Sequence, residues 1–313
     1  MISKAPYNKK SFINDLIFLD SARSGWELAL NSIKSKYGYT KILLPSYIGF
    51  TEREGSGIFD PVQNTESEFT FYPINEDLSI NYDSLELLIQ SGKFNVLLVV
   101  HYFGFCRNDL NKIRVLCDEN DVIMVEDCAH AFHLWSEREG LGVTGDMSFY
   151  SVHKYLPVSD GGILKNISNK VKVQDPSDNT EISLASAVQL LKSDYESIAK
   201  IRRSNFNLYA KELKDINGLE IMYSNLREDE IPQTFPVRIK NGLREKLYFY
   251  LMEKEMPTIA LYYRLIDELE KDTYELSHQI SNEILNLPLH QDIDDSDTEQ
   301  LTGEIKKFLA EIK

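Results

Sequence analysis

The sequence predicts an α/β protein: a mostly parallel central sheet flanked by helices, followed by a smaller α+β unit. Three observations lead there. Runs such as Lys41-Ile42-Leu43-Leu44-Pro45 and Asn95 to His101 are almost continuously apolar, as strands buried on both faces must be. Amphipathic helical patterns separate these runs through the first two-thirds of the chain. Beyond Gly162 the alternation stops, and long helical stretches with a few short strands take over. At 313 residues there is chain enough for one large domain, placed at 1–200, and a smaller one at 201–313.

Each element has its own signal. Ser24 to Lys36 reads as a helix, with Trp26, Leu28, Ala29, Leu30 and Ile33 as its apolar positions. Lys41 to Pro45 and Glu68 to Tyr72 are short strands. Asp83 to Gln90 is helical, Asn95 to His101 a strand, and Asn108 to Glu119 a helix with Leu110, Ile113 and Leu116 on one face. Val122 to Val125 is the next strand, and it runs straight into Glu126-Asp127. The stretch around Phe149 to Pro157 reads as apolar strand, interrupted by Lys154. Glu181 to Leu213 is helical with a break expected near Ser204. Strands at Leu219 to Met222 and Thr234 to Ile239, a helix at Leu243 to Lys254 and a last helix from Ser296, as N-cap, to Ile312 complete the chain.

Composition excludes several classes. The net charge of −15 argues against a nucleic-acid or anionic-membrane surface. The longest apolar run, Val96 to Val100, is far too short to span a bilayer. Met1 to Lys10 has no apolar stretch after its lysines, so no secretory leader is expected. Three cysteines, Cys106, Cys117 and Cys128, point to a reducing cytoplasm and no disulfide framework.

The chemistry should lie beyond the carboxyl ends of the parallel strands. Tyr47 to Phe50, His101 to Gly104, Asp127 to His130, and Lys154 all fall at that edge. A lysine in apolar surroundings is costly unless paired, because burial disfavours the ammonium and depresses its pKa. A strand-end acid with such a lysine 27 residues later (154 minus 127) suits pyridoxal phosphate, where a lysine forms the Schiff base and a carboxylate holds the pyridine nitrogen protonated. The hydroxyl-bearing turn Ser21 to Trp26 opens a helix and could receive a phosphate, with Ser24 also an ordinary N-cap. Ser151 could add a hydroxyl, and Asp160-Gly161-Gly162 a turn with approachable backbone. Plainer readings stand beside these. Asp127 could be a turn acid and His130 a satisfied core histidine. Asp127, Cys128, His130 and His133 could ligate a metal, but the lysine and the lack of a second cysteine–histidine group weigh against it.

Glu126-Asp127-Cys128-Ala129-His130-Ala131, then Gly142 to Asp146, Phe149 to Lys154 and Gly161-Gly162 resemble the DegT/DnrJ/StrS family. Val99 to Gly104, Phe235-Pro236-Val237 and Ile284 to His290 extend the resemblance along most of the chain. It implies fold type I of the pyridoxal-phosphate transferases. It also implies an aminotransferase acting on a keto-sugar, nucleotide-linked, for surface-polysaccharide synthesis, with glutamate as donor and a homodimer as the working form. Carried over, Lys154 is the Schiff-base lysine, Asp127 the ring-nitrogen partner and His130 a neighbour of the phenolic oxygen. Ser151, Ser24 and Gly25 attend the phosphate. The chain departs from the pattern in places. Trp26 stands where the family commonly has threonine, and Gly49 falls at the ring-stacking aromatic, leaving Tyr47 or Phe50 as substitutes. The asparagine-arginine segment that serves the neighbouring subunit is not recognisable between Lys165 and Ser183. Two rival readings remain: a related reaction such as sugar dehydration, whose branch replaces the lysine with histidine, or a non-catalytic descendant that binds a ligand or partner.

Overall fold

Seven strands build the larger sheet: β1 (Leu16–Leu19), β2 (Lys41–Pro45), β3 (Glu68–Tyr72), β4 (Val96–Val100), β5 (Ile123–Cys128), β6 (Met147–Ser151) and β7 (Gly162–Asn166). The computed structural model describes residues 16–131, 141–177, 179–228, 230–256 and 258–311. The spatial order is β1-β7-β6-β5-β4-β2-β3. β7 is antiparallel to both its neighbours, and the other pairings are parallel. Every residue of β4, β5 and β6 is buried. At about 1.5–3 kcal/mol for each large apolar side chain removed from water, these three strands anchor the domain.

Helices α1 (Ala22–Tyr37), α2 (Phe59–Asn64), α3 (Tyr82–Gln90), α4 (Leu110–Glu119) and α5 (Leu184–Lys192) follow in chain order between and after these strands, and α6 (Tyr195–Glu212) packs on the C-terminal part, its Phe206 and Tyr209 against Phe235. A second, antiparallel sheet has the order β10-β9-β8, from β8 (Leu219–Ile221), β9 (Thr234–Ile239) and β10 (Ile284–Pro288). Helices α7 (Arg244–Glu253), α8 (Glu275–Glu283) and α9 (Asp295–Glu311) complete the C-terminal part. Residue 200, the expected domain division, falls inside α6.

Three expectations are corrected. The long helix breaks at Ser193-Asp194, not near Ser204, because the Asp194 side chain accepts the Ser197 N–H at 3.1 Å and caps α6. Asp294, not Ser296, caps α9: its Oδ1 accepts the Asp297 N–H at 2.9 Å, and its own N–H reaches back to Asp297 at 3.2 Å. The apolar strand ends at Ser151, so Lys154 lies in the turn that follows it.

α1 is seated by a close approach. A Cβ on Gly162 would lie 2.0 Å from the carbonyl carbon of Ser21 and 2.4 Å from the Ala22 nitrogen. Glycine at the start of β7 therefore lets the helix N-terminus rest on the sheet edge. Trp26 has no exposed surface, stacks on Phe149 with 5.6 Å between centroids, and donates its indole N–H to the Ile58 carbonyl at 3.1 Å. It is a core residue, which explains why this position carries no phosphate-binding hydroxyl. Among the described residues no helix is long and apolar enough to cross a membrane. All three cysteines are buried and free.

Candidate active site

The carboxyl edge of the sheet opens into a cavity of about 750 Å³. Its floor comes from adjacent strands in register, since Val100 pairs with Asp127 and Asp127 with Phe149. Asp127, Ala129, His130, Phe149, Ser151 and Lys154 all line it.

Two neighbouring carboxylates show what this edge is built for. Glu126 points beneath the cavity, where it accepts the Nε2 of His101 at 2.8 Å and the N–H groups of Gly142, Thr144 and Gly145 at 2.9, 2.8 and 2.6 Å. Burial alone would raise its pKa, yet His101 and these N–H donors hold it below the usual carboxylate range. Asp127 faces the cavity with one hydrogen bond among the described residues, from the Ala129 N–H at 2.8 Å. Burial raises its pKa, and that single donor with the charges of Lys154 and His101 does not offset the cost. Glu126 is satisfied in place; Asp127 is short of a positive partner. His101, Glu126 and Cys128 also group closely enough to consider as metal ligands, but the carboxylate is already occupied by four N–H donors. His133, of the metal set considered above, lies outside the described residues.

Lys154 is partly buried, and desolvation lowers its amine to about 8, opposed by the charges of Asp127 and Glu54. His130 is buried and its pKa lies well below the ordinary value, through burial and then the charge of Lys154, so the ring is neutral. Its Nδ1 accepts the Phe103 N–H at 3.2 Å, which leaves the proton on Nε2 as a donor.

The helix end differs from expectation in register. Ser21 is the N-cap, its hydroxyl accepting the Ser24 N–H at 3.1 Å, and Ser21, Ala22 and Arg23 line the cavity. Ser24 and Gly25 do not. Gly25 is buried one turn in, packed near Phe149 and Leu164. The N–H groups and dipole of α1 therefore reach the cavity three residues earlier than the sequence led us to expect. Arg23 adds a cation there, while donating to the Glu54 carbonyl and lying 3.6 Å from Asp60.

The opposite wall is irregular chain. Residues 49–58 supply Gly49, Phe50, Arg53 and Glu54, and the small-sheet half supplies Leu261 and Tyr262. Ladder-like bonds tie these segments together: Phe50 N–H to Arg264 O at 3.0 Å and Ile266 N–H to Ile48 O at 3.1 Å. Tyr262 adopts φ +59°, which costs a bulky residue of order 1–3 kcal/mol and is kept only where surrounding structure enforces it.

Of the residues named from sequence, Lys154, Asp127, His130, Ser151 and Phe50 meet at the cavity. Tyr47 does not line it, being fully buried and stacked under Tyr262 at 5.0 Å. Ser21 and Arg23 belong to the turn read as a possible phosphate site, though neither was singled out there, and sequence reasoning missed Glu54 and Tyr262. A serine three residues before another serine at the helix start was a usable capping signal for Ser21. Nothing local marked Tyr262.

The fold is shared with solved structures. The PLP-form of Spr1654 from Streptococcus pneumoniae superposes with TM-score 0.79 at 15% identity, over 100% of this chain and 93% of that one. The model of the DegT/DnrJ/EryC1/StrS aminotransferase family matches residues 24–172 and 180–306, and the chain belongs to that family. Curated relatives include a GDP-perosamine synthase of Vibrio cholerae, 24% identical over 272 residues, 74% of this chain and 71% of that protein. A dTDP-3-amino-3,6-dideoxy-alpha-D-galactopyranose transaminase of Aneurinibacillus thermoaerophilus is 22% identical over 247 residues, 70% of this chain and 66% of that protein. The matched segments thus span about two-thirds of the curated relatives.

Proposed function

We propose that this protein is a pyridoxal-phosphate-dependent aminotransferase that moves an amino group, from glutamate, to a nucleotide-linked keto-sugar. The observation that carries the reading is Asp127: a buried carboxylate with one donor, in the same cavity as an amine lowered to about 8. The donor set fits the cofactor at each end. Asp127 offers the charge a protonated ring nitrogen needs, the His130 Nε2–H can donate to the phenolic oxygen, and the α1 N-terminus with Ser21, Arg23 and Ser151 can hold the phosphate. When bound, pyridoxal 5'-phosphate supplies an aldehyde for amines and a ring that draws electrons from the carbon bearing nitrogen.

The chain's own work is then proton management. Lys154 Nζ, neutral in an appreciable fraction near physiological pH, would be the amine that holds the aldehyde end of the group, and it could take and return a proton as general base and acid. Asp127 would keep the proton on the ring nitrogen. The names of the curated relatives support nucleotide-linked sugars as substrates. We place the reaction in surface-polysaccharide synthesis, in the cytoplasm and in a homodimer, and the division between large and small domains near α6.

The test is direct. Purified protein incubated with pyridoxal phosphate should gain a visible absorbance band that borohydride fixes to Lys154. It should then convert a nucleotide-linked keto-sugar to the amino-sugar with glutamate. A protein that takes up no cofactor, or holds it elsewhere, overturns the reading. Uptake should also speed up as pH rises, with an inflection near about 8, the value at which Lys154 loses its proton.

A further inference from the structure

We infer that Tyr262, from the C-terminal half of the chain, is the aromatic cover for the cofactor ring, made possible by glycine at position 49. This rests on the proposed function and deepens it. A flat ring held at Asp127 and Lys154 needs an apolar surface against a face. Ala129 on the sheet side offers only a methyl, and with His130 given to the phenolic oxygen and His153 exposed, the remaining rings lining the cavity are Phe50, Phe149 and Tyr262. Phe149 is already stacked on Trp26, at 5.6 Å and 22°. Phe50 has the Arg264 guanidinium over its ring at 5.2 Å. Among the described residues Tyr262 stacks on one ring, Tyr47, at 5.0 Å and 15°. It meets Phe103 and His130 in edge geometry at 5.6 and 5.9 Å, which places it beside the cavity's own histidine. Its pKa is raised by burial and then by the charge of Asp127, so the two are electrostatic neighbours.

Gly49 accounts for the arrangement. A Cβ built there would lie 2.9 Å from Tyr262 Cδ1 and 3.3 Å from Cε1, so any larger residue would drive the ring away. The ring fills the space that a side chain at 49 would take. The bonds joining 48–50 to 264–266, and the Ser281 hydroxyl donating to the Tyr262 carbonyl at 2.7 Å, hold its unusual backbone in place. Four observations coincide on one residue: a bare glycine, a ring in its place, a left-handed backbone and a seat in the cavity wall.

The experiment is a titration with pyridoxal phosphate, read as the dissociation constant and as induced circular dichroism of the bound chromophore. Tyr262→Phe keeps the ring and should bind within about twofold of wild type, whereas Tyr262→Ala should weaken binding by roughly three- to tenfold and diminish the induced signal. Adding Gly49→Phe to Tyr262→Ala should restore much of the loss by returning a ring from the other side. Equal binding by Tyr262→Ala and wild type overturns the inference, as does Tyr262→Phe binding as weakly as Tyr262→Ala. If Tyr262→Ala is recovered unfolded, Gly49→Ala decides the matter, since it displaces the ring without removing it: weakened uptake supports the inference and unchanged uptake overturns it. Failure of wild type to bind any cofactor defeats the proposed function itself. A wild type that binds while Tyr262→Ala binds equally well defeats only this inference.

Discussion

The cavity has two walls of different origin. One is the carboxyl edge of β4, β5 and β6, where strand register places Asp127, Ser151 and, one turn later, Lys154. The other is irregular chain from 49–58 and 261–262, joined by a few backbone bonds. The strand wall carries Asp127 and Lys154, the two charges on which the proposed chemistry rests. The irregular wall carries shape, through a glycine and the ring that fills its place. On the proposed reading, chemistry would sit on the rigid element, and recognition on the part of the chain that can vary without disturbing the sheet.

Substitutions can break or sharpen this contrast. The largest effect should come from the strand wall: Lys154→Ala should abolish borohydride-fixed cofactor and lower turnover by roughly 10²–10⁴-fold or more, measured by single-turnover assay. Asp127→Asn keeps the shape and removes the charge. It should cost roughly 10- to 100-fold in turnover, the range for a hydrogen bond to a charged group, while changing cofactor affinity less. Gly162→Ala probes the seating of α1 on that wall, where overpacking against Ser21 should lower stability by about 1–3 kcal/mol or more in chemical unfolding. The smallest effect belongs to the irregular wall. Glu52→Gln removes an exposed pair with Arg264 (3.1 Å) and should change stability by less than about 1 kcal/mol. A large loss from Glu52→Gln, or none from Gly162→Ala, would erase the contrast.

Lys154 carries a further signature that separates the walls. Its amine titrates at about 8 in the folded protein against an ordinary 10.5. Below about pH 8 both folded and unfolded chains hold the proton, and the folded state bears the full desolvation cost. As pH rises from about 8 toward 10.5 the folded state sheds its proton first, so cofactor-free protein should gain stability relative to Lys154→Met across that window. A thermal-unfolding series at several pH values would show it.

The sequence revealed the strand wall well and the irregular wall hardly at all. Continuous apolar runs mark doubly covered strands, and a charged residue at the end of one is conspicuous, so Asp127 and Lys154 were legible. Helix ends were less so. Ser21 and Ser24 both suit a cap, and it is the Ser21 hydroxyl accepting the Ser24 N–H, with Ser21 seated against Gly162, that shows which one serves. Asp194 likewise outcompetes a break at Ser204 because its side chain captures a free N–H. Tyr262 was illegible in principle. Its place depends on a bridge to a segment more than two hundred residues earlier, and no local pattern records that pairing. Trp26, read both as an apolar helix position and as a departure from the phosphate-binding pattern, is interior packing.

β7 is the reversed strand of its sheet, and the consequence reaches the lysine. Because β6 and β7 are antiparallel neighbours, Ser151 lies opposite Gly162, and the ten residues 152–161 form a closed hairpin whose two ends are fastened to the middle of the scaffold. An inserted residue there would shift the amine within the cavity it shares with Asp127. Diversification toward new substrates would then be channelled into the peripheral connections, leaving this short tether at constant length.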